Sequence, residues 1–230
     1  MDELWVCHLG LIAYGEAVAL QERLRAARQA ERLPDVMLLL EHPAVYTRGR
    51  RSEPGELPFA ESWYQGRGID ILDTDRGGRV TYHGPGQLVG YPIMRTTDVI
   101  VYLRTMERAI IAALEQEGIV AGLREGLTGV WVDDGKIASI GVHISRGVTT
   151  HGFAVNVEND LEPFSWVVPC GLDGVRMTSV GIETGRARAL PCFRRRVAHE
   201  FARAHNRRQR LVSPARLESL VSPAFAGHGV

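Results

Sequence analysis

The chain has 230 residues, 45% hydrophobic and 23% charged, and its 27 basic residues balance 27 acidic ones. This is the composition and size of a globular protein with one sizeable core, and no apolar run approaches the roughly 20 residues a membrane span needs. Three cysteines (Cys7, Cys170 and Cys192) without metal-type spacing point to a reducing cytoplasm and argue against a disulfide framework. The start, Met1-Asp2-Glu3-Leu4, lacks a basic segment followed by a long apolar one, so no secretory signal is expected.

In chain order, Leu4 to Leu9 reads as a strand and Tyr14 to Ala30 as a helix, with Ala17, Leu20, Leu24 and Ala27 at helical spacing. Val36 to Glu41 is an apolar strand of the buried type. His42-Pro43 interrupts it and Val45-Tyr46-Thr47 resumes it. Residues Ser52 to Gly68 read as loop, and Ile69 to Asp73 as a short strand. Arg76 to Gln87 follows, a polar strand candidate closed by glycines on both sides. Gly77-Gly78 permits close approach to the backbone, and Gly84-Pro85-Gly86 makes a stiff turn that holds His83 beside it. Leu88 to Ile93 is again an apolar strand. Asp98 caps a helix to about Glu117 with Leu103, Met106, Ile110 and Leu114 inward. Gly129 to Asp133 and Lys136 to Val142 form a hairpin whose turn is expected at Asp134-Gly135. Gly152 to Val157 is a strand. Pro191 to Ala204 is a helix with Val197, Phe201 and Ala204 buried. The pattern predicts an α+β fold, a mixed β-sheet with flanking helices in a single domain over residues 1–212, and a partly disordered tail over 213–230.

Two compositional features bear on function. Arg186 to Arg210 holds nine arginines and one acid, Glu200, which reads either as a solvated helix face or as a patch for an acidic partner. Across the chain there are 26 arginines and one lysine, Lys136. Arginine cannot be deprotonated in a protein and a lysine amine can, so a lone lysine reads either as a surface residue left by chance or as a place where titration matters.

Cys170 lies between Pro169 and Gly171, which puts its thiol at the tip of a turn. Read by itself it is either a nucleophile or a structural turn cysteine. A thiol must lose its proton to attack. Lys136, His83, His143 and His151 are rival bases, and the single-lysine argument favours Lys136. No short-spaced ligand pair supports a metal site, and neither the phosphate-loop nor the dinucleotide glycine pattern is present.

Five segments in order resemble the lipoyl(octanoyl) transferase family: Leu39-Leu40-Glu41-His42-Pro43, Arg76 to Gln87, Gly135 to Gly141, His151 to Val157, and Pro169-Cys170-Gly171. The resemblance implies the fold of biotin and lipoate protein ligases, with a mixed sheet, helices on one side and a curved channel. It implies a Cys170–Lys136 dyad in which Cys170 carries the acyl group as a thioester and Lys136 lowers the thiol pKa. The octanoyl group would lie against Arg76, Gly77, Gly78, Arg79, Val80, Thr81, Tyr82 and His83, against Ser139, Ile140 and Gly141, and against Gly152, Phe153 and Ala154. It further implies octanoyl-acyl carrier protein as donor, and as acceptors the apo lipoyl domains of 2-oxoacid dehydrogenase complexes and the glycine cleavage H protein. No cofactor, nucleic acid or membrane is implied, and the protein is expected to be a monomer. The alternatives are an ATP-dependent lipoate–protein ligase of the same fold, a lipoyl relay enzyme, and a non-catalytic acyl- or carrier-binding module.

Overall fold

A computed structural model describes residues 2–167, 175–187 and 189–221. Its strands are β1 (Glu3–Leu11), β2 (Asp35–Glu41), β3 (Val45–Arg48), β4 (Asp70–Asp73), β5 (Thr81–His83), β6 (Gln87–Ile93), β7 (Gly122–Arg124), β8 (Leu127–Val132), β9 (Gly135–Ser145), β10 (Val148–Asn156) and β11 (Arg208–Leu211). Its helices are α1 (Tyr14–Gln29), α2 (Glu61–Gln65), α3 (Val99–Glu115), α4 (Val180–Thr184), α5 (Leu190–Ala204) and α6 (Pro214–Val221). The large sheet runs β11-β1-β2-β6-β10-β9-β8-β7, and a small one runs β4-β3-β5. β1 lies parallel to β2 and β11, whereas β2–β6, β6–β10 and β9–β10 are antiparallel, so the sheet is mixed.

The sheet is covered on both faces, where the family resemblance implied helices on one. β2 shows why. Val36, Leu38 and Leu40 point into a core with α1 and α6, while Met37 and Leu39 point into a second core with α3 and α5. A strand apolar on both faces needs cover on both. Each fully buried leucine contributes about 1.5–3 kcal/mol. The stretch set apart as tail contributes to this cover. α6 packs Leu217 and Val221 against the core, and Arg23 pairs with Glu218 across it at 2.9 Å.

Other differences are local. The pairing Val132↔Gly135 leaves Asp133-Asp134 as the hairpin loop, with Asp133 at φ +50°, so the turn sits one residue earlier than its dipeptide suggested. Ala204 is exposed, because the buried face of α5 turns through Val197, Ala198, Phe201 and Ala202. The loop 52–68 contains α2, whose Tyr64 is fully buried against Tyr46 in the small sheet's own core. Asp98 does cap α3, accepting from the Ile100 and Val101 N–H groups at 2.9 and 3.0 Å.

Candidate active site

The Gly77-Gly78 loop lies across the large sheet and is held there by backbone. Gly77 N–H donates to Val142 C=O at 3.0 Å, and a Cβ on Gly141 would stand 2.6 Å from Gly77 O. The close approach that the paired glycines permit is thus made by β9 itself. Asp75 fastens the same loop from its other side. Its carboxylate lies 2.7 Å from His151 Nε2 and 3.4 Å from His143 Nδ1. Burial raises the Asp75 pKa, but the hydrogen bond and charge of His151 and the charge of His143 more than offset this and hold it below the usual range. His151 adopts φ +57° inside β10, an uncommon and strained conformation for a non-glycine residue, and Gln21 Oε1 accepts its N–H at 2.6 Å.

Between this loop and strands β6, β8, β9 and β10 lies a cavity of about 320 Å³. Its lining includes apolar Val80, Leu127, Trp131, Ile140 and Phe153, and polar Tyr14, Arg76, His83, Tyr91, Lys136 and Ser139. That is the mixture expected of a pocket for a small ligand with an apolar body and a polar head. Arg76 is buried, with its guanidinium on Thr47 O at 2.6 Å, Thr47 Oγ1 at 2.8 Å and Gly77 O at 3.1 Å.

His83 stands at one wall. Gln87 Nε2 donates to Tyr82 O at 3.1 Å and to Asn156 Oδ1 at 3.0 Å, so its Oε1 is left as acceptor. His83 Nδ1 therefore carries the proton that meets Gln87 Oε1 at 2.7 Å, and Nε2 keeps its lone pair. Burial, reinforced by the neighbouring His42, keeps this ring neutral by pushing its pKa well below the ordinary value. His42 is held in turn by Ile12 O at Nδ1 and by the Tyr91 hydroxyl at Nε2, at 2.7 and 2.8 Å. Burial lowers its pKa to about 4.

Lys136 lines another part of the cavity, on β9. It is buried, with its Nζ 5.5 Å from the centre of the Trp131 ring. Its backbone is clamped on both sides. Trp131 pairs with it in the hairpin, and the segment 176–178 lies along its other edge through Lys136 N–H to Arg176 O at 2.8 Å and Thr178 N–H to Lys136 O at 3.0 Å. Among the described residues no group of three His, Cys, Asp or Glu side chains is arranged to hold a metal ion.

Residues 13–202 match the family described as lipoyl protein ligase A/B catalytic domain. A curated octanoyltransferase of Geobacter sulfurreducens is 45% identical over 201 residues, covering 86% of this chain and 83% of its own. The chain belongs to the octanoyltransferase family. Its fold is that of solved ligases. A bipartite lipoate protein ligase from Thermoplasma acidophilum superposes with a TM-score of 0.76 at 19% identity, over 96% of this chain and 91% of its own. Biotin protein ligase from Aquifex aeolicus superposes with a TM-score of 0.52 at 12% identity, over 90% and 70%.

For this octanoyltransferase-family chain, nearly every residue expected at the acyl group lines the one cavity: Arg76, Gly77, Gly78, Arg79, Val80, Thr81, His83, Ser139, Ile140, Gly141, Gly152, Phe153 and Ala154, with Lys136 among them. Tyr82 does not. Strand alternation turns it to the other side of β5, where it packs on Tyr46 and Phe164. Cys170 falls outside the described residues. Of the rival bases, His151 and His143 are engaged with Asp75, while His83 lines the cavity with its Nδ1 held by Gln87. Sequence reading missed Tyr14, Tyr91 and Trp131. The usable signal was an aromatic side chain with a polar tip inside an apolar strand, as in Leu88-Val89-Gly90-Tyr91 and Gly129-Val130-Trp131.

The arginines also separate. Those of α5 and its flanks mostly meet acids: Arg196 and Arg186 meet Glu117, Arg203 meets Glu200, and Arg208 and Arg210 meet Glu3. Arg50 and Arg51 are exposed and make no ion pair with the described residues, and Arg51 borders the cavity.

Proposed function

We propose that this protein transfers an octanoyl group from octanoyl-acyl carrier protein to the lysine of apo lipoyl domains, through a thioester on Cys170 with Lys136 as its proton partner. Membership of the octanoyltransferase family supports the reaction. The observation that carries the assignment of Lys136 is its position: the only lysine in 230 residues is buried in the wall of the cavity that gathers the expected acyl-binding residues. Cys170 precedes Arg176 by six residues, and the backbone of Arg176 is bonded to that of Lys136.

In the first half-reaction Lys136 takes the Cys170 proton. The thiolate adds to the donor carbonyl, the bond from carbonyl carbon to carrier sulfur breaks, and Lys136 returns the proton to the departing carrier thiolate. In the second, the acceptor amine adds to the octanoyl-Cys170 carbonyl. Its proton passes to Lys136 and then to the Cys170 thiolate that leaves. Thioester becomes amide, which is downhill, so no nucleotide is consumed. Gly77 N–H is already bonded to Val142, so of the paired glycines Gly78 is the candidate donor to the oxyanion. The cavity, near the lower end of the roughly 300–1,000 Å³ typical of ligand sites, suits a short acyl chain. The acidic carrier would meet Arg50 and Arg51. The acceptors are lipoyl domains of 2-oxoacid dehydrogenase complexes and the glycine cleavage H protein, and the working form is a cytoplasmic monomer.

The fold shared with lipoate ligases favours one rival, an ATP-dependent ligase. Incubation with octanoyl-carrier protein and apo lipoyl domain, with no nucleotide present, separates the two. An octanoylated lipoyl domain is the expected product. Product that forms only from free acid and ATP would replace this reading with the ligase.

A further inference from the structure

Helix α3 buries a carboxylate that the reaction above does not use. Glu107 is fully buried, with one oxygen on Arg104 Nη1 at 2.8 Å and the other accepting Gly129 N–H at 3.1 Å. Gly129 is itself unusual. It has φ +129°, a conformation that favours glycine. A Cβ at that position would stand 2.9 Å from Lys136 Cε, 3.6 Å from Lys136 Nζ and 2.5 Å from Ala138 O. The end of the lysine side chain thus occupies the space that a side chain at residue 129 would fill.

The strand pairing is irregular at the same place. Trp131 pairs with Lys136 and Val130 with Ala138, so Ile137 is an extra residue in β9. Such a bulge re-aims the side chains beside it.

We infer that Gly129 and Glu107 are positioning residues for Lys136: Glu107 pins the backbone of Gly129, and the missing side chain there leaves the passage through which the lysine amine reaches the cavity. The inference rests on the Cys170–Lys136 reading above. It extends the functional machinery to a residue on α3, outside all five segments that carry the family resemblance.

The test is a double-mutant cycle on full-length protein. The rate of iodoacetamide alkylation of Cys170 is followed by peptide mapping across pH, beside octanoyl capture. Gly129→Ala is expected to slow capture about 100-fold, the cost of misplacing a reacting group by about 1 Å, and to move the pH–rate profile of alkylation. In a Lys136→Ala background the same substitution is expected to leave alkylation of Cys170 as it is in Lys136→Ala alone. Additive effects would mean that Gly129 acts on the fold and not through the lysine, and would overturn the inference. Should Gly129→Ala fold poorly, Glu107 supplies the second arm. Glu107→Leu is expected to shift the profile in the same direction. Glu107→Gln, which keeps an acceptor for Gly129 N–H, is expected to restore most of the wild-type profile. Equal profiles for Glu107→Leu and wild type would refute the role of the helix. Wild-type protein that captures no octanoyl group would instead refute the underlying dyad.

Discussion

The two polar walls of the cavity are built on different principles. At the His83 wall, polarity is fixed by a closed chain of neutral hydrogen bonds, in which Asn156 and Tyr82 orient Gln87 and Gln87 sets the tautomer of His83. At the Lys136 wall a flexible amine-bearing side chain is confined by backbone, with the 176–178 segment on one edge, a β-bulge beneath and a glycine where a side chain would block it. On the mechanism proposed above, the difference separates two tasks. A proton carrier must move charge during the reaction, so its amine needs room. A wall that only orients a reacting group gains from rigidity, and neutral hydrogen bonds supply rigidity without a buried charge.

The largest expected effect is at the lysine wall. Lys136→Arg keeps positive charge but cannot accept a proton, so turnover should fall by about 10³-fold, within the range for general acid–base catalysis. Steady-state transfer to apo lipoyl domain measures this, and near-wild-type turnover would leave Lys136 an electrostatic role alone. The histidine wall should show its burial as acid sensitivity. His42 has a folded pKa of about 4 against an ordinary 6.5, so it takes up a proton on unfolding. Its stabilisation is complete above pH ~6.5 and is lost as pH falls towards ~4, a change on the order of 3 kcal/mol, with His83 and His151 shifted in the same direction. Urea midpoints at pH 7.5 and pH 5 should differ accordingly, and equal midpoints would contradict neutral burial. Gln87→Leu, which leaves His83 Nδ1 and Asn156 Oδ1 without that partner, should cost about 1–3 kcal/mol in the same assay. It should also lower transfer less than Lys136→Arg does; a larger loss would merge the two walls into one function. The smallest effect is expected at the cavity mouth. Arg50→Ser with Arg51→Ser should slow capture from carrier protein a few-fold and flatten its salt dependence, without changing capture from a small octanoyl thioester. Substitution of the arginines of α5 should do neither.

The cavity was largely legible in the sequence because its residues lie in short segments of special chemistry: paired glycines, a lone lysine, and histidines beside turns. Tyr82, named with its whole segment, lies outside the cavity lining because strand alternation hands every second residue to the opposite face. Tyr14, Tyr91 and Trp131 were missed because each sits in an apolar context that reads as core. Both-sided cover of the sheet was legible in the unbroken apolar run of Val36 to Leu40. The packing of α6 was not, because only Leu217 and Val221 of that short helix are buried. Glu107 shows the limit most clearly: nothing in a helical stretch marks one glutamate as the partner of a backbone N–H more than twenty residues away.

The most direct measurement is intact mass after mixing the protein with octanoyl-carrier protein in the absence of ATP, followed by peptide mapping. The account predicts one octanoyl-sized adduct on the peptide containing Cys170, discharged on addition of apo lipoyl domain. No adduct, or an adduct confined to another residue, would contradict it.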